Sequence, residues 1–425
     1  MAEKTNIGSG APTLTLVSLG CAKNAVDLQV KAGGLLKSGW RLSEDPDRAD
    51  AVIVNTCSFI ASAREEAEAE IRRALELKRR GAYGRVFVTG CYPGRYPDAA
   101  AKFPGVDGWT GVPQEWEEPK LPGFRLTGKA FAYLKIAEGC AHRCAYCAIP
   151  SIRGKYRSRP MKSILKEAKA LLASGCRELN VIAQDPMLWR EGEKKLSDLL
   201  WKLDKFPGEY WVRVLYSYPS EIDDDFIIWM MTSEHAAKYV DMPIQHTDSD
   251  VLVKMNRKRA IEASLTAPEI LRDLIPEVTL RTTIMTGFPG ETKRRFERMR
   301  RDLDRLQFDH LGAFAYSPEK GTKGAKLSGR CSRAEAEERE KLIMSDARRL
   351  WEVKAKRMLG KTYRALVVAP GVARMESQAP DVDGVVRISE KVKSKSEKGR
   401  MPAVGEFVDV KLRKVKGFDF EGTVK

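Results

Sequence analysis

The first part of the chain alternates between apolar runs and helical patterns. Mainly apolar runs lie at positions 14–19, 51–54 and 86–88, and each run predicts a buried strand. Helical patterns occur at residues 26–36 and 61–77. The alternation of strands and helices predicts an open α/β sheet with a parallel core.

A second alternation begins after a stretch rich in Pro and Gly at residues 113–123. Helical segments separate six candidate strands, which favours a partial or full α/β barrel over a doubly wound sheet. Polar residues at the carboxyl ends of these strands are then the candidates for a functional site. The candidate strands are residues 131–137, 178–183, 212–216, 240–244, 280–285 and 311–315.

The last part of the chain begins with a long charged helix, predicted at about residues 333–359. Short alternating runs, separated by Gly and Pro, then predict a small antiparallel β-barrel; they occupy residues 365–368, 384–388 and 406–412. A chain of 425 residues is also too long for one core. We therefore expect three domains: an N-terminal open parallel α/β domain at 1–125, a central partial (β/α) barrel at 126–358 and the β-barrel at 359–425.

Composition indicates the class of protein. With 43% hydrophobic and 31% charged residues, and no apolar run near the roughly 18 residues that span a bilayer, the chain has the composition of a soluble globular protein. Residues 1–10 are polar and lack a secretory signal, so we expect a cytoplasmic protein. Because thiols stay reduced in the cytoplasm, we interpret the eight cysteines as metal ligands, catalytic groups or buried small residues rather than as a disulfide framework.

The net charge of +16 favours a polyanionic partner such as RNA or a ribosome, although a basic surface that only improves solubility explains it equally well. The basic residues are spread along the chain, with two denser runs in its last part. One run is Lys391, Lys393, Lys395, Lys398 and Arg400; the other is Lys411, Arg413, Lys414 and Lys416.

Three cysteines follow the three apolar runs of the first segment. Cys21, Cys57 and Cys91 each come at or just after the end of a predicted strand. Because ligands collect at the carboxyl ends of parallel strands, these cysteines can meet at one edge of the sheet. Metal binding is the better interpretation, and three unrelated buried thiols are the alternative.

A second group of cysteines follows the first strand of the barrel. Cys140, Cys144 and Cys147 are separated by three and then two residues. Four-iron clusters normally take four thiolates, so a loop that supplies three leaves one iron open to another ligand. A zinc knuckle is the alternative, but His142 lies inside the loop, where it is poorly placed to complete a tetrahedron.

This cysteine spacing, with the aromatic Tyr146 before the last cysteine, resembles that of the radical S-adenosylmethionine superfamily. The resemblance implies that a [4Fe-4S] cluster on the loop binds S-adenosylmethionine at its open iron. One electron then generates an adenosyl radical that removes hydrogen from an unactivated carbon. Tyr146 would pack near the adenine of this cofactor, or it is an ordinary core aromatic residue.

The first cysteine group makes the chain similar to the methylthiotransferase family within this superfamily. The segments that carry the resemblance are residues 18–24, 55–57 and 89–91. The family's properties imply a second [4Fe-4S] cluster on Cys21, Cys57 and Cys91, which delivers sulfur. They also imply a C-terminal TRAM domain that recognises substrate, and an electron donor such as flavodoxin or ferredoxin.

Further motifs resemble the branch that adds a methylthio group to the β-carbon of an aspartate in small-subunit ribosomal protein S-12, free or in the small ribosomal subunit. These motifs are residues 148–154, 184–185, 243–246 and 379–384. The branch that modifies an adenosine of tRNA is the alternative, because residues 361–425 contain 14 Lys and Arg against 9 Asp and Glu, whereas a basic ribosomal protein favours an acidic surface. A zinc-containing RNA-binding protein is the alternative from another class.

Some polar residues near the predicted strand ends are candidates for binding S-adenosylmethionine. We expect Arg213, Gln184, Gly287 and Glu291 to contact the cofactor; the alternatives are turn chemistry and polar groups that satisfy strand-end backbone. No catalytic residue could be identified from the sequence.

Overall fold

The computed structural model describes residues 10–113, 115–121, 123–388 and 401–424. The predicted basic run from Lys391 to Arg400 lies outside these residues. The chain divides into two units: Met1–Leu126 with Ala148–Lys155, and Thr127–Cys147 with Tyr156–Lys425. The three predicted domains stay a prediction. Within the described part of the chain, no helix is long and apolar enough to cross a membrane.

The first unit contains a five-stranded parallel sheet of order β2-β1-β3-β4-β5. Along β3, alternate residues face opposite sides: Val52 packs in a cluster with Ile71 of α2, and Ile53 packs in a cluster with Leu28 of α1. Helices on both faces explain why residues 51–54 of this strand are all apolar. The strands are β1 (Thr13–Ser18), β2 (Arg41–Leu42), β3 (Ala49–Thr56), β4 (Tyr83–Gly90) and β5 (Gly108–Thr110); the helices are α1 (Ala22–Lys37), α2 (Ala61–Arg79), α3 (Cys91–Arg95) and α4 (Ile149–Arg153).

The second unit begins with two parallel three-stranded sheets, β6-β9-β12 and β13-β14-β15, which form the partial (β/α) barrel. The backbone N–H of Ser217, just after β12, donates to the carbonyl of Asp241 at the end of β13 and joins the two sheets. The strands are β6 (Phe131–Lys135), β7 (Ala137–Glu138), β8 (Arg157–Ser158), β9 (Glu178–Ile182), β10 (Arg190–Glu191), β11 (Lys194–Lys195), β12 (Trp211–Val214), β13 (Tyr239–Asp241), β14 (Thr279–Thr286) and β15 (His310–Ala315).

The helices of this barrel follow its strands and cover them. They are α5 (Met161–Ala173), α6 (Leu196–Leu203), α7 (Asp224–Thr232), α8 (Ser249–Lys254), α9 (Ala260–Leu274), α10 (Lys293–Leu306) and the long α11 (Arg333–Met358). All six predicted barrel strands are present. The strand predicted at 240–244 is shorter, because it ends at Asp241 and Pro243 has no N–H for the ladder.

The second unit ends in a closed five-stranded barrel of order β16-β17-β18-β20-β19. Neighbouring strands are antiparallel except β18 and β20, which are parallel. A closed ring with an odd number of strands cannot alternate direction throughout, so one parallel pair is required. The strands are β16 (Thr362–Ala369), β17 (Val372–Met375), β18 (Val386–Ile388), β19 (Phe407–Lys416) and β20 (Asp419–Val424).

Candidate functional site

The cysteines of the first unit lie at one edge of its sheet. Cys21 precedes the first residue of α1, Cys57 follows the last residue of β3, and Cys91 is the first residue of α3, directly after β4. Because β1, β3 and β4 are adjacent and parallel, all three cysteines are at the carboxyl edge. The packing is close: a Cβ atom on Gly20 would lie 3.1 Å from the sulfur of Cys57.

Buried amides hold this edge together. The side-chain NH₂ of Asn24 donates to the carbonyl of Leu19 at 2.7 Å and to that of Thr56 at 3.2 Å. Asn55 donates in return to the carbonyl of Asn24 at 2.7 Å. These bonds connect the first turn of α1 to the ends of β1 and β3, so the backbone that carries the first two cysteines is held by one side chain from α1 and one from β3.

Arg153 of α4 is a buried cation beside these cysteines, and sequence reasoning did not identify it as a functional residue. Its guanidinium donates to Asp27 at 2.9 Å and to the sulfur of Cys91 at 3.7 Å, and it is only 1% exposed. Arg153 lies 62 residues from Cys91 in the sequence, so no local motif signals the contact. The contact brings a positive charge to a group of thiols.

The three thiols differ in their electrostatic surroundings. Burial raises the pKa of Cys91 to about 12, although the charge of Arg153 opposes this shift, and burial also raises the pKa of Cys57. For Cys21, which reaches the surface, desolvation by nearby protein atoms raises the pKa, but Lys23, Arg153 and backbone N–H groups outweigh it and the pKa is lowered overall. Cationic and N–H donors thus favour the thiolate that a metal requires.

The cysteine loop of the second unit lies just beyond β7, and backbone hydrogen bonds from two distant segments hold it. The N–H of Ala145 donates to the carbonyl of Met255 at 2.8 Å, and the N–H of Gly324 donates to the carbonyl of Ala145 at 2.6 Å. The side chain of Asn256 donates to the carbonyl of Arg143 at 2.8 Å. Cys140, Cys144 and Cys147, all partly buried, are therefore on a loop whose backbone is fixed by the rest of the barrel.

Arg257 is the buried cation of this second cysteine group, and it too was missed by sequence reasoning. Its guanidinium lies 3.8 Å from the sulfur of Cys144 and 3.4 Å from the hydroxyl of Tyr146, to both of which it can donate. Tyr146 also contacts Phe288 edge to face, at 6.3 Å between ring centroids. Burial is the main cause that raises the pKa of Tyr146 well above its usual value, so the hydroxyl stays neutral.

Three of the predicted cofactor-binding positions form hydrogen bonds near strand ends of the barrel. Gln184, after β9, donates to Glu138 at 3.1 Å, and Glu138 also pairs with buried Lys135 at 2.8 Å. Gly287, after β14, donates its N–H to the carboxylate of Glu291 at 3.0 Å. The pKa of Glu291 is lowered, because His246, Arg339 and this N–H outweigh the effect of burial.

Arg213 has different surroundings from the other predicted positions. It is fully buried in β12, and its side chain donates to Glu178, the first residue of β9, at 2.8 Å. It also donates to the carbonyl of Glu376, beyond β17, at 2.7 Å. The side chain is therefore engaged at the amino end of β9, whereas Gln184 and Gly287 follow the carboxyl ends of their strands. Its role in binding a cofactor stays a prediction.

Each cysteine group has the donor chemistry of an iron–sulfur site. Among the described residues, no three His, Cys, Asp or Glu side chains lie close enough together to hold a single metal ion. In an iron–sulfur cluster each cysteine instead binds a different iron, and N–H donors to sulfur are common. The buried guanidinium beside each thiol group fits an anionic cluster of this kind.

Three family models match the chain, and together they cover most of it. The Radical SAM superfamily matches residues 134–303, the uncharacterized protein family UPF0004 matches residues 13–111, and the TRAM domain matches residues 359–424. The chain is 39% identical to ribosomal protein uS12 methylthiotransferase RimO of Moorella thermoacetica, over 97% of this chain and 99% of that protein. The same-named protein of Clostridioides difficile is 37% identical, over 97% and 98% of the two chains.

Solved structures support the fold alone. The radical S-adenosylmethionine methyltransferase TsrM from Kitasatospora setae, solved with cobalamin and a [4Fe-4S] cluster, superposes with a TM-score of 0.53 at 17% identity, over 74% of this chain and 77% of that one. The cobalamin-dependent S-adenosylmethionine radical enzyme OxsB superposes with a TM-score of 0.51 at 10% identity, over 79% and 56% of the two chains.

Proposed function

Because the chain belongs to the family of ribosomal protein uS12 methylthiotransferases, we propose that it adds a methylthio group to the β-carbon of an aspartate in ribosomal protein uS12. The observation that carries this proposal is the match to the Moorella thermoacetica protein. It covers 97% of this chain and 99% of that relative. A match of this extent includes both cysteine groups and the C-terminal barrel, so it supports a shared reaction and not only a shared fold.

We further propose two [4Fe-4S] clusters, one on Cys21, Cys57 and Cys91 and one on Cys140, Cys144 and Cys147, together with S-adenosylmethionine. When bound, these groups supply the adenosyl radical that removes a hydrogen atom from the substrate carbon and the sulfur and methyl group that replace it. If both four-iron clusters form, the chain should bind about eight irons after anaerobic reconstitution. About four irons would mean that only one of the two sites binds a cluster.

The residues of the second unit bind and orient the cofactor in this proposal. Tyr146 would pack against the adenine, since it lies in the cysteine loop itself, between Cys144 and Cys147. Gln184, Gly287 and Glu291 would form polar contacts with the cofactor, because they follow carboxyl ends of barrel strands, where such barrels carry their functional residues. Arg213 would act there only if it left its buried contact with Glu178.

The partners follow from the substrate. Ribosomal protein uS12, free or in the small ribosomal subunit, is the proposed target, and flavodoxin or ferredoxin is the proposed electron donor. A ribosomal target implies action in the cytoplasm, and the basic run Lys411, Arg413, Lys414 and Lys416 in β19 is suited to ribosomal RNA beside the target protein.

Mass spectrometry of both candidate substrates tests the proposal. Anaerobically reconstituted enzyme, S-adenosylmethionine and a reductant should add one methylthio group to an aspartate of uS12 in small subunits. The matched control is the Cys147→Ala variant, which should leave uS12 unmodified. Modification of tRNA with no change in uS12 would overturn the substrate and support the tRNA branch.

A further inference from the structure

Arg257 is held firmly in place beside the cysteine loop of the second unit. It lies between α8 and α9, is 3% exposed, and donates to the carbonyl of Pro243 at 2.8 Å. Its guanidinium carbon is 4.1 Å from the ring centroid of Tyr218, and the ring of His142 stacks on Tyr218 at 3.9 Å. The guanidinium and the imidazole would overlap if both lay on the same face of the Tyr218 ring. The ring of Tyr218 is therefore packed between Arg257 and His142.

The cation of Arg257 has no carboxylate partner among the described residues. Of the three proposed cluster ligands on this loop, Cys144 has its sulfur 3.8 Å from the guanidinium. Its Nε is buried and has no hydrogen-bond partner within the same described part of the chain. A buried N–H without an acceptor is unfavourable, so this donor is suited to an acceptor that binds beside the guanidinium.

The other buried arginine provides the contrast. Arg153 approaches Cys91 at 3.7 Å, but it also pairs with Asp27 at 2.9 Å. The carboxylate of Asp27 offsets part of the field of Arg153 at the sulfur, whereas no carboxylate pairs with Arg257 among the described residues. In a poorly hydrated site an unscreened charge at this distance is a strong electrostatic influence.

We propose that Arg257 raises the reduction potential of the iron–sulfur cluster held by Cys140, Cys144 and Cys147, and so allows the electron donor to start the reaction. The inference rests on the proposed function. The step is the transfer of one electron from a flavodoxin- or ferredoxin-type donor to the cluster; no proton moves and no bond forms or breaks. The reduced cluster carries one more negative charge, which a fixed cation at Cys144 stabilises. Arg257 is thus a positioning residue that acts through Cys144.

Redox titration of the loop cluster tests this directly. The titration uses full-length protein in which Cys21, Cys57 and Cys91 are replaced by Ala, so that only the loop binds iron. At the potential where this background protein is half reduced, Arg257→Met and Arg257→Gln should lower the ratio of reduced to oxidised cluster tenfold or more, which corresponds to about 59 mV for one electron. Electron paramagnetic resonance measures the reduced form, and iron content measures cluster loading.

Two further variants separate charge from structure. Arg257→Lys keeps the positive charge, whereas Arg257→Gln keeps N–H donors without the charge. The ratio of reduced to oxidised cluster in Arg257→Lys should therefore be much closer to that of the background protein than the ratio in Arg257→Gln. The matched control is Lys258→Met, because Lys258 is the exposed neighbour of Arg257 and its removal should change the ratio less than about twofold.

The outcomes distinguish this inference from the proposed function. Unchanged ratios in iron-loaded Arg257→Met or Arg257→Gln overturn the inference alone. An Arg257→Lys ratio as low as that of Arg257→Gln also overturns it, since the charge would then not be the cause. If the background protein binds no iron at all, the proposed function fails together with the inference.

Discussion

Gly20 is the residue that limits how closely the cysteine edge of the first unit can pack. Its φ angle of +91° lies in the left-handed region, and a Cβ atom there would approach the Cβ of Cys57 to 2.8 Å. Gly39 has a similar φ of +96° but no atom within 4 Å of a built Cβ. The two glycines therefore separate backbone strain from steric contact with a proposed iron ligand.

We predict that Gly20→Ala and Gly39→Ala each lower the free energy of unfolding by roughly 1–2 kcal/mol through backbone strain. Only Gly20→Ala should also lower iron bound by the first unit, since the new methyl group displaces Cys57. Iron analysis in a background with Cys140, Cys144 and Cys147 replaced by Ala measures this. Equal iron content in both variants would contradict the prediction.

Helix α11 is the element that joins the cores of the two barrels in the second unit. Ile343 and Ala347 belong to the core of the (β/α) barrel, whereas Trp351 and Ala355 belong to the core of the C-terminal barrel. Trp351 donates its indole N–H to the carbonyl of Gly417 at 2.9 Å and lies 5.2 Å from the ring of His310. One helix thus stabilises both barrels.

We predict that Trp351→Ala destabilises the second unit by about 3–5 kcal/mol, the usual range for removing a large buried aromatic side chain. The neighbouring Glu352→Ala, on the exposed face of α11, should stay within about 0.5 kcal/mol of the unchanged protein. Urea denaturation followed by circular dichroism measures both variants. Equal midpoints for the two variants would show that α11 does not link the cores.

At the scale of the whole molecule, the C-terminal barrel is connected to the (β/α) barrel by buried charge. Glu178 of β9 pairs with Arg213 of β12 and with Arg374 of β17, and both carboxylate oxygens are used. Nearby, Tyr239 donates to Asp383 at 2.7 Å. Removing residues 361–425 would take away Arg374 and Asp383 together, so single substitutions test this interface more cleanly than a deletion.

We predict that Glu178→Gln lowers the free energy of unfolding by about 3–5 kcal/mol, because two buried guanidinium groups lose their counter-charge. The exposed pair Glu209–Arg364 links the same two barrels and provides the control. Glu209→Gln should cost less than about 1 kcal/mol, since water and salt screen exposed pairs. Hydrogen exchange in β16 to β20 measures the stability of both variants. If Glu178→Gln lost no more stability than Glu209→Gln, the prediction would be contradicted.

The pH dependence of this effect has a defined sign. Burial raises the pKa of Glu178, but Arg374 and Arg213 outweigh it, so the folded-state pKa lies below the ordinary value. The stabilisation by Glu178 is therefore complete above the unfolded pKa of about 4.3 and is lost as the pH falls through the lower folded value. The difference between the protein and Glu178→Gln should follow the same course, and a constant difference down to the acid transition would contradict it.

The sequence alone determined the elements and their order, because periodicity and strand-end position are local properties. The buried runs before Cys21, Cys57 and Cys91 predicted adjacent parallel strands, and the six strands after residue 130 predicted the (β/α) barrel. In the C-terminal barrel, β17 and β20 were not predicted, because short strands that contain Arg374 or Glu421 lack a clear alternation. Their pairing depends on partners distant in the sequence.

Only the tertiary structure revealed which charges stand beside the cysteines. Arg257 and Cys144 are 113 residues apart, and Arg153 and Asp27 are 126 residues apart, so no spacing rule connects them. The same holds for Arg213, whose position in a barrel strand suggested a cofactor contact while its side chain pairs with Glu178. A local pattern determines which face of an element is buried, whereas the partner of a buried charge depends on how distant elements pack.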